Sequence, residues 1–313
     1  MNKKTNRLKG GRFSVIRREL IRNRYLYLLA VPVIAYYIIF CYLPIGGIAI
    51  AFKQYDLAKG IWDSSWVGLK YFKEFFESLY FPRLMKNTLL ISIYDLLLGF
   101  PAPVIFALLL NELRGSFFKK MVQTITYLPH FISLVVICGM ITDFFSTEGI
   151  ITKILAALGG EQINYLGDPA YFRSIYVWTN VWQGIGWGSI VYLAAISGID
   201  QELYEAAVID GAGRLRQALS VTLPCIAPTI IIMLILRMGS IMSVGFEKII
   251  LLYSPATYET GDVIASFVYR RGLGTSAQYS YATAVGLFQS IVNLVLLFAA
   301  NRISKRVSET SLF

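Results

Sequence analysis

The sequence predicts an all-α polytopic membrane protein. Three observations carry that prediction: apolar windows long enough to cross a bilayer, an uneven distribution of lysine and arginine, and one polar loop between two apolar runs. Of 313 residues, 56% are hydrophobic and 15% charged, where an ordinary soluble domain carries about 25% charged residues. About 20 consecutive apolar residues cross a hydrocarbon core of about 30 Å. Six windows meet that length: 25–52, 88–111, 121–145, 174–199, 225–246 and 281–301. Their only ionisable residues of the Asp, Glu, Lys, Arg and His types are Asp95, His130, Asp143 and Arg237. Pro101, Pro103 and Pro129 interrupt the second and third windows. Membrane helices tolerate proline because neighbouring groups satisfy the freed carbonyls. Six transmembrane helices are therefore expected within a membrane domain spanning 25–301.

Charge sets the orientation. With both termini cytoplasmic, segments 1–24, 112–120, 200–224 and 302–313 hold 17 Lys and Arg. The external segments 53–87, 146–173 and 247–280 hold 11. The basic side is the cytoplasmic one, so the pI near 9.4 reports membrane topology and implies no nucleic-acid partner. The basic segment 1–24 is too long in its apolar continuation to be a signal peptide, and no small-residue cleavage site follows. "GRFSVIRRELIRNR" reads either as an amphipathic helix laying Arg17, Arg18, Arg22 and Arg24 on anionic membrane lipid or as a disordered basic arm. The tail 302–313 stays cytoplasmic. Segment 146–173 includes a short amphipathic stretch, "GIITKILAAL", suited to the membrane surface or to a protein partner.

Few residues offer redox or metal chemistry. Cys41, Cys138 and Cys225 lie in or beside apolar spans without a CxxC pair, where cysteine behaves as a small hydrophobe. His130 is the single histidine and reads as a packing residue, so no metal site is expected. No paired carboxylates or nucleophile–base set occupy the spans, so no catalytic residues are assigned.

The polar loop 200–224, "YEAAVIDGAGRLRQALSVTLP" at its centre, breaks at Gly211 and Gly213 into two short helices. Val208, Ala212, Leu215 and Leu219 recur at helical spacing as an apolar stripe, with Asp210 and Arg214 at i,i+4 on the other side. Pro224 marks the start of the fifth span, because helices rarely run through the residue before proline. Glu205-Ala206-Ala207, Gly211, Val221 and Leu223-Pro224 together resemble the E-A-A-x3-G-x9-I-x-L-P signature loop of the membrane subunits of bacterial ATP-binding-cassette importers, with Val221 in place of Ile. That resemblance implies a maltose-permease-like fold and a cytoplasmic coupling helix. In it Glu205, Ala206, Ala207, Gly211, Leu223 and Pro224 meet a cytoplasmic ATPase dimer. Two small alanines keep the contact thin, and Gly211 permits the turn. ATP and Mg would bind that partner, since this chain has no G-x-x-x-x-G-K-[ST] loop and binds no cofactor of its own.

"AFKQYDLAKGIWDSSWVGLKYFKEFF" and the closing "SETSLF" are similar to the branch of sugar-importer permeases that takes up oligosaccharides, including uronate-containing ones. This implies a second permease subunit and an extracellular substrate-binding lipoprotein as further partners, at the bacterial cell membrane. The substrate path is expected on spans four and five. Asn180, Gln183 and Trp187 share one helix face, with Trp182 extending an aromatic surface; Trp178 fits the interfacial belt. Gly184 and Gly188 form a GxxxG suited to close helix packing. Arg237 falls 13 residues beyond Pro224, about 20 Å along a helix, deep enough that it must face the bundle interior. Its partner is either a substrate carboxylate or a structural one: Asp95, Asp143 or the second permease. Ser240 and Ser243 are set to line the same channel. The competing class is an ion-coupled secondary transporter or channel subunit. It would need inverted repeats and more intramembrane acids, and neither is found.

Overall fold

The computed structural model describes residues 21–113, 115–275 and 277–307. Most of the basic N-terminal arm and the "SETSLF" tail lie outside the described residues. The described residues are helical almost throughout, and their one β element is a hairpin of β1 (Lys53–Asp56) and β2 (Ser64–Trp66), antiparallel with Lys53 opposite Trp66.

The first span is α1 (Arg24–Tyr37), continued by a π turn at Ile38–Tyr42 and a 3₁₀ run, Leu43–Phe52. After the hairpin come α2 (Lys70–Phe76) and α3 (Tyr80–Tyr94), which passes through a π turn at Asp95–Gly99 into α4 (Pro101–Glu112). Then follow α5 (Ser116–Phe131), α6 (Leu134–Phe145), α7 (Ile150–Ala157) and the 29-residue α8 (Pro169–Ser197). The polar loop holds α9 (Gln201–Ile209). After it a short helical turn and a π turn at Ala218–Thr222 feed α10 (Leu223–Met238). The chain closes with α11 (Phe246–Leu252), α12 (Ile264–Leu273) and α13 (Tyr279–Val307).

Three π turns fall among the described residues, each ending two residues before a proline: Pro44, Pro101 and Pro224. A proline in a helix clashes with the carbonyl four residues earlier and donates no N–H. Those carbonyls belong to Phe40, Leu97 and Ser220, the middle residue of each π turn. Widening the turn with one extra residue moves the obstructing carbonyl aside, and the helix continues. The expected helix start at Pro224 is accordingly corrected: helical structure runs from Arg214 through to Met238.

Among the described residues, five helical stretches are long and apolar enough to cross a membrane: Arg24–Phe52, Tyr80–Glu112, Leu134–Ala157, Arg214–Met238 and Tyr279–Arg306. The expected count of six is therefore not met on length and apolarity. The window at 121–145 divides at Ile132 and Ser133, where Ser133 caps α6 by accepting a hydrogen bond from the Val136 amide. The helix over the fourth window is long enough, about 43 Å at 1.5 Å per residue, but Asn180, Gln183 and its Thr and Tyr residues lower its apolarity. It is the central helix instead, packing against α4, α5, α10 and the π turn at Asp95–Gly99.

Close approach explains α8's glycines. A Cβ on Gly186 would lie 2.2 Å from the Thr126 carbonyl oxygen of α5, so only glycine lets these backbones meet. Gly188 touches the Pro103 ring, and Gly184 faces open space. The tight contact thus falls between the two glycines of the expected GxxxG. Around α8 lie two apolar clusters, one with Ile137, Phe172, Tyr176 and Ile249, the other with Val104, Ala107, Tyr192 and Ile226. The apolar side chains of α1 are exposed in this chain, as expected where lipid or a second subunit is the solvent.

Candidate functional site

Span five unwinds where its polar groups begin. Beyond Met238 the backbone leaves the helix until α11 starts at Phe246. Irregular backbone at membrane depth needs side chains to satisfy it, and three neighbours supply them. Asn293 of α13 accepts from the Met242 amide at 2.9 Å and donates to Ser243 Oγ at 3.0 Å. Gln289 donates to the Met242 carbonyl at 2.8 Å, and Ser92 of α3 donates to the Ile241 carbonyl at 2.5 Å. The unwound segment is thereby fixed, with Arg237 at its root.

Arg237 forms an ion pair with Asp95, the first residue of the π turn in the second span. Of the partners open to it from sequence, the structural one within this chain is occupied, and it is Asp95 rather than Asp143. The Asp95 side chain is 11% exposed and that of Arg237 49%, so part of the guanidinium still faces open space. Asn180 of α8 donates to the other Asp95 oxygen at 3.4 Å and accepts from Lys248 Nζ at 2.8 Å. Four residues from four elements thus make one chain of hydrogen bonds: Lys248, Asn180, Asp95, Arg237.

Two cavities meet at this chain. One, of about 290 Å³, lies toward the Pro169 end of α8 and is lined by Ser92, Gln183, Ser243, Glu247 and Lys248. The other, of about 500 Å³, lies toward the Ser197 end and is lined by Gly99, Pro103, Gly184, Gly188, Tyr192 and Met233. Asp95, Asn180, Arg237 and Ser240 line both. The structure therefore brings Asn180, Gln183, Arg237, Ser240 and Ser243 together. Trp182 and Trp187 line neither cavity. Trp187 stacks on His130, ring centroids 4.4 Å apart and nearly parallel, which gives His130 the packing role expected of it.

Lys248 was missed from sequence because it stands among charges outside the apolar windows. It is 3% exposed and lies 5.6 Å from the Tyr176 ring centroid. Burial, opposed weakly by the neighbouring Cys138, pulls its ammonium down to about 8. No run of residue types signals this. The lysine is buried only because α11 folds back against α6 and α8.

A second polar knot joins the Tyr80 end of α3 to α8 and α12. Asp262 is wholly buried; it accepts from both terminal nitrogens of Arg270, at 3.1 and 2.7 Å, and from Ser266 at 2.9 Å. Burial works against the Arg270 charge, but Asp262's hydrogen bonds and charge outweigh it and raise its pKa. Asn87 donates to the Asp262 carbonyl at 2.9 Å and accepts from Arg173 at 2.7 Å.

The polar loop is a structured elbow. Asp200 caps α9 by accepting from the Glu202 amide at 3.0 Å. The helix ends at Ile209, and Gly211 takes a φ of +74°, a left-handed conformation that costs other L-residues about 1–2 kcal/mol. Tyr204 and Thr222 share a hydrogen bond of 2.9 Å, and Gln217 donates to the Ala212 carbonyl at 2.7 Å. Glu205 and Ala206 are exposed, Ala207 half-buried. Leu223 and Pro224 open α10. The expected apolar stripe is not packed on this chain: Val208, Leu215 and Leu219 are exposed, Leu215 by 75%. Arg214 reaches Glu112 at the end of α4, 3.9 Å away.

A membrane-spanning helical bundle, a polar chain between two internal cavities and a rigid elbow with uncovered apolar side chains define a transport permease. The chain belongs to the family described as the binding-protein-dependent transport system inner membrane component, whose family model matches residues 87–309. It is 46% identical over 295 residues to Protein LplB of Bacillus subtilis (strain 168), covering 94% of this chain and 92% of that one. It is 42% identical, at the same coverages, to the polygalacturonan/rhamnogalacturonan transport system permease protein YteP of the same organism. Its structure is similar to a chain in the crystal structure of a bacterial ABC transporter that imports the acidic polysaccharide alginate. The TM-score is 0.86 and the identity 43%, covering 94% of this chain and 99% of that one. A second structure of a bacterial alginate transporter, in complex with an alginate pentasaccharide-bound periplasmic protein, matches equally. The chain is thus a multi-pass membrane transport subunit, and the ion-coupled alternative is not favoured.

Proposed function

We propose that this chain forms the translocation path of an ATP-driven importer for oligosaccharides, uronate-containing ones included. An extracellular binding lipoprotein delivers the sugar, a second permease completes the path, and a cytoplasmic ATPase dimer supplies the energy. The observation that carries this reading is the Lys248–Asn180–Asp95–Arg237 chain at the junction of two cavities. Amide and hydroxyl groups there match sugar hydroxyls; Lys248, held by the neutral Asn180, offers a cation to a carboxylate, and Arg237 adds a second where Asp95 releases it. The Arg237–Asp95 pair closes the junction in this conformation, with the Lys248 side facing outward. Relatives that carry polygalacturonan, rhamnogalacturonan and alginate support an acidic substrate.

The elbow supports the coupling role. Its apolar side chains Val208, Leu215 and Leu219 are exposed, with no cover among the described residues, and Glu205 is exposed among them. ATP and Mg are bound by the partner ATPase and no cofactor by this chain. In this reading both termini are cytoplasmic, which the lysine and arginine bias supports. The test is sugar-stimulated ATP hydrolysis by the reconstituted importer. Glu205→Ala combined with Gly211→Pro should abolish stimulation by every sugar; an unchanged rate would remove the elbow from the mechanism.

A further inference from the structure

A third cavity, of about 500 Å³, opens at the Tyr80 end of the bundle, lined by Tyr80, Arg83, Tyr258, Phe267, Arg270 and Arg271. It lies far from the elbow. α3 and α4 run 33 residues from Tyr80 to Glu112, which pairs with Arg214 of the elbow. On the proposed orientation the cavity faces outside.

Its charge is unbalanced. Three guanidinium groups line it and no acid does. The carboxylate within pairing distance is Asp262, buried beneath the pocket and saturated by both Arg270 nitrogens and Ser266. Arg83 reaches it at only 3.4 Å, and its Nε is buried without a hydrogen-bond partner. Arg271 makes no ion pair among the described residues; its guanidinium lies 5.4 Å from the Phe267 ring centroid and 5.6 Å from that of Tyr80. The two rings, 5.6 Å apart, lie on one side of it and support it without neutralising it. Arginine forks bind carboxylates bidentately, and small-ligand sites run from about 300 to 1,000 Å³ with aromatic linings. An acidic side chain reaching in from another protein would fill a small part of such a volume, whereas a sugar ring with its carboxylate would fill much more.

Resting on the proposed import of acidic sugars, we infer that this cavity is an outer uronate site, separate from the Arg237 junction. Arg271 and Arg83 grip the carboxylate of an arriving oligosaccharide, and Tyr80 and Tyr258 contact its ring.

The test is uptake by cells expressing the complete importer, using trigalacturonate and its carboxyl-reduced neutral counterpart. Arg271→Gln should raise the half-saturating trigalacturonate concentration five- to tenfold at unchanged maximal rate and leave the neutral sugar unaffected, and Arg271→Lys, which keeps the charge without the fork, should restore only part of the loss. Arg83→Gln repeats the measurement where Arg271→Gln fails to accumulate. Equal effects on both sugars, or none, overturn the inference. So does a higher half-saturating concentration of the binding protein with either sugar, which would mark a docking contact. If the wild-type importer takes up only the neutral sugar, the acidic-substrate reading falls too; uptake of both with silent variants sinks this site alone.

Discussion

Arg237 and Asp95, 142 positions apart, meet as an ion pair at the junction of the two central cavities. The pair is half-open: the carboxylate is nearly buried and the guanidinium is not. Removing one partner of a buried pair costs about 3–5 kcal/mol, and exposed pairs contribute about 0–1. A value between these limits follows. In a double-mutant cycle on the purified protein, Asp95→Asn and Arg237→Gln should show a coupling of about 1–2 kcal/mol in thermal unfolding. Coupling near zero would mean that the two side chains part in the working protein.

Lys248 should make uptake of acidic sugars depend on pH. Its pKa is lowered to about 8, so its charge disappears as pH rises through that value. Uptake of a uronate oligosaccharide is expected to fall between pH 7 and 9, whereas Lys248→Met should be weak and flat over that range. Stability moves the other way. Between about 8 and the ordinary value of 10.5 the unfolded chain binds more protons than the folded one, so folding strengthens as pH rises. Lys248→Met should lose that rise in a melting series.

At Gly186, alanine should be far more costly than at Gly184. The added methyl meets the Thr126 carbonyl at the first position and open space at the second. Gly186→Ala is expected to lower the melting midpoint clearly, with a cost of about 1–3 kcal/mol as for other overpacked contacts. Gly184→Ala should change it little. Equal shifts would show that α5 and α8 are not held this closely.

The elbow's glycine separates conformation from contact. Asn tolerates a positive φ better than Val does, and a Cβ at Gly211 has room. Gly211→Asn should therefore keep most sugar-stimulated ATP hydrolysis and Gly211→Val lose most of it. Similar losses in both would assign the glycine to a tight partner contact.

The helical class, the elbow and several cavity residues were legible in the sequence because each rests on local rules. Charge-free windows mark the spans, Gly211 marks a break, and Arg237 is conspicuous in an apolar run. The remainder depends on tertiary packing. Nothing local says that Asp95 would face Arg237, or that Lys248, among surface-like charges, would be buried against Asn180. Trp187 shares a helical face with Asn180, yet seven residues set it about 10 Å further along α8, against His130. The helix at Ser116–Phe131 and the one at Leu134–Phe145 looked like one span because apolarity alone does not register a two-residue break.

The three widened turns before Pro44, Pro101 and Pro224 have a bearing on ancestry. Each amounts to one surplus residue absorbed in place, so the chain's numbering and its geometry are out of step there. Losing one residue from Asp95–Gly99 would let that turn close to α geometry and set a carbonyl back against the ring of Pro101. Losing one from Ala218–Thr222 would do the same at Pro224. Among related chains, deletions should therefore be rarer in these two turns than in the external connections, and loss of the proline should accompany any deletion that does persist.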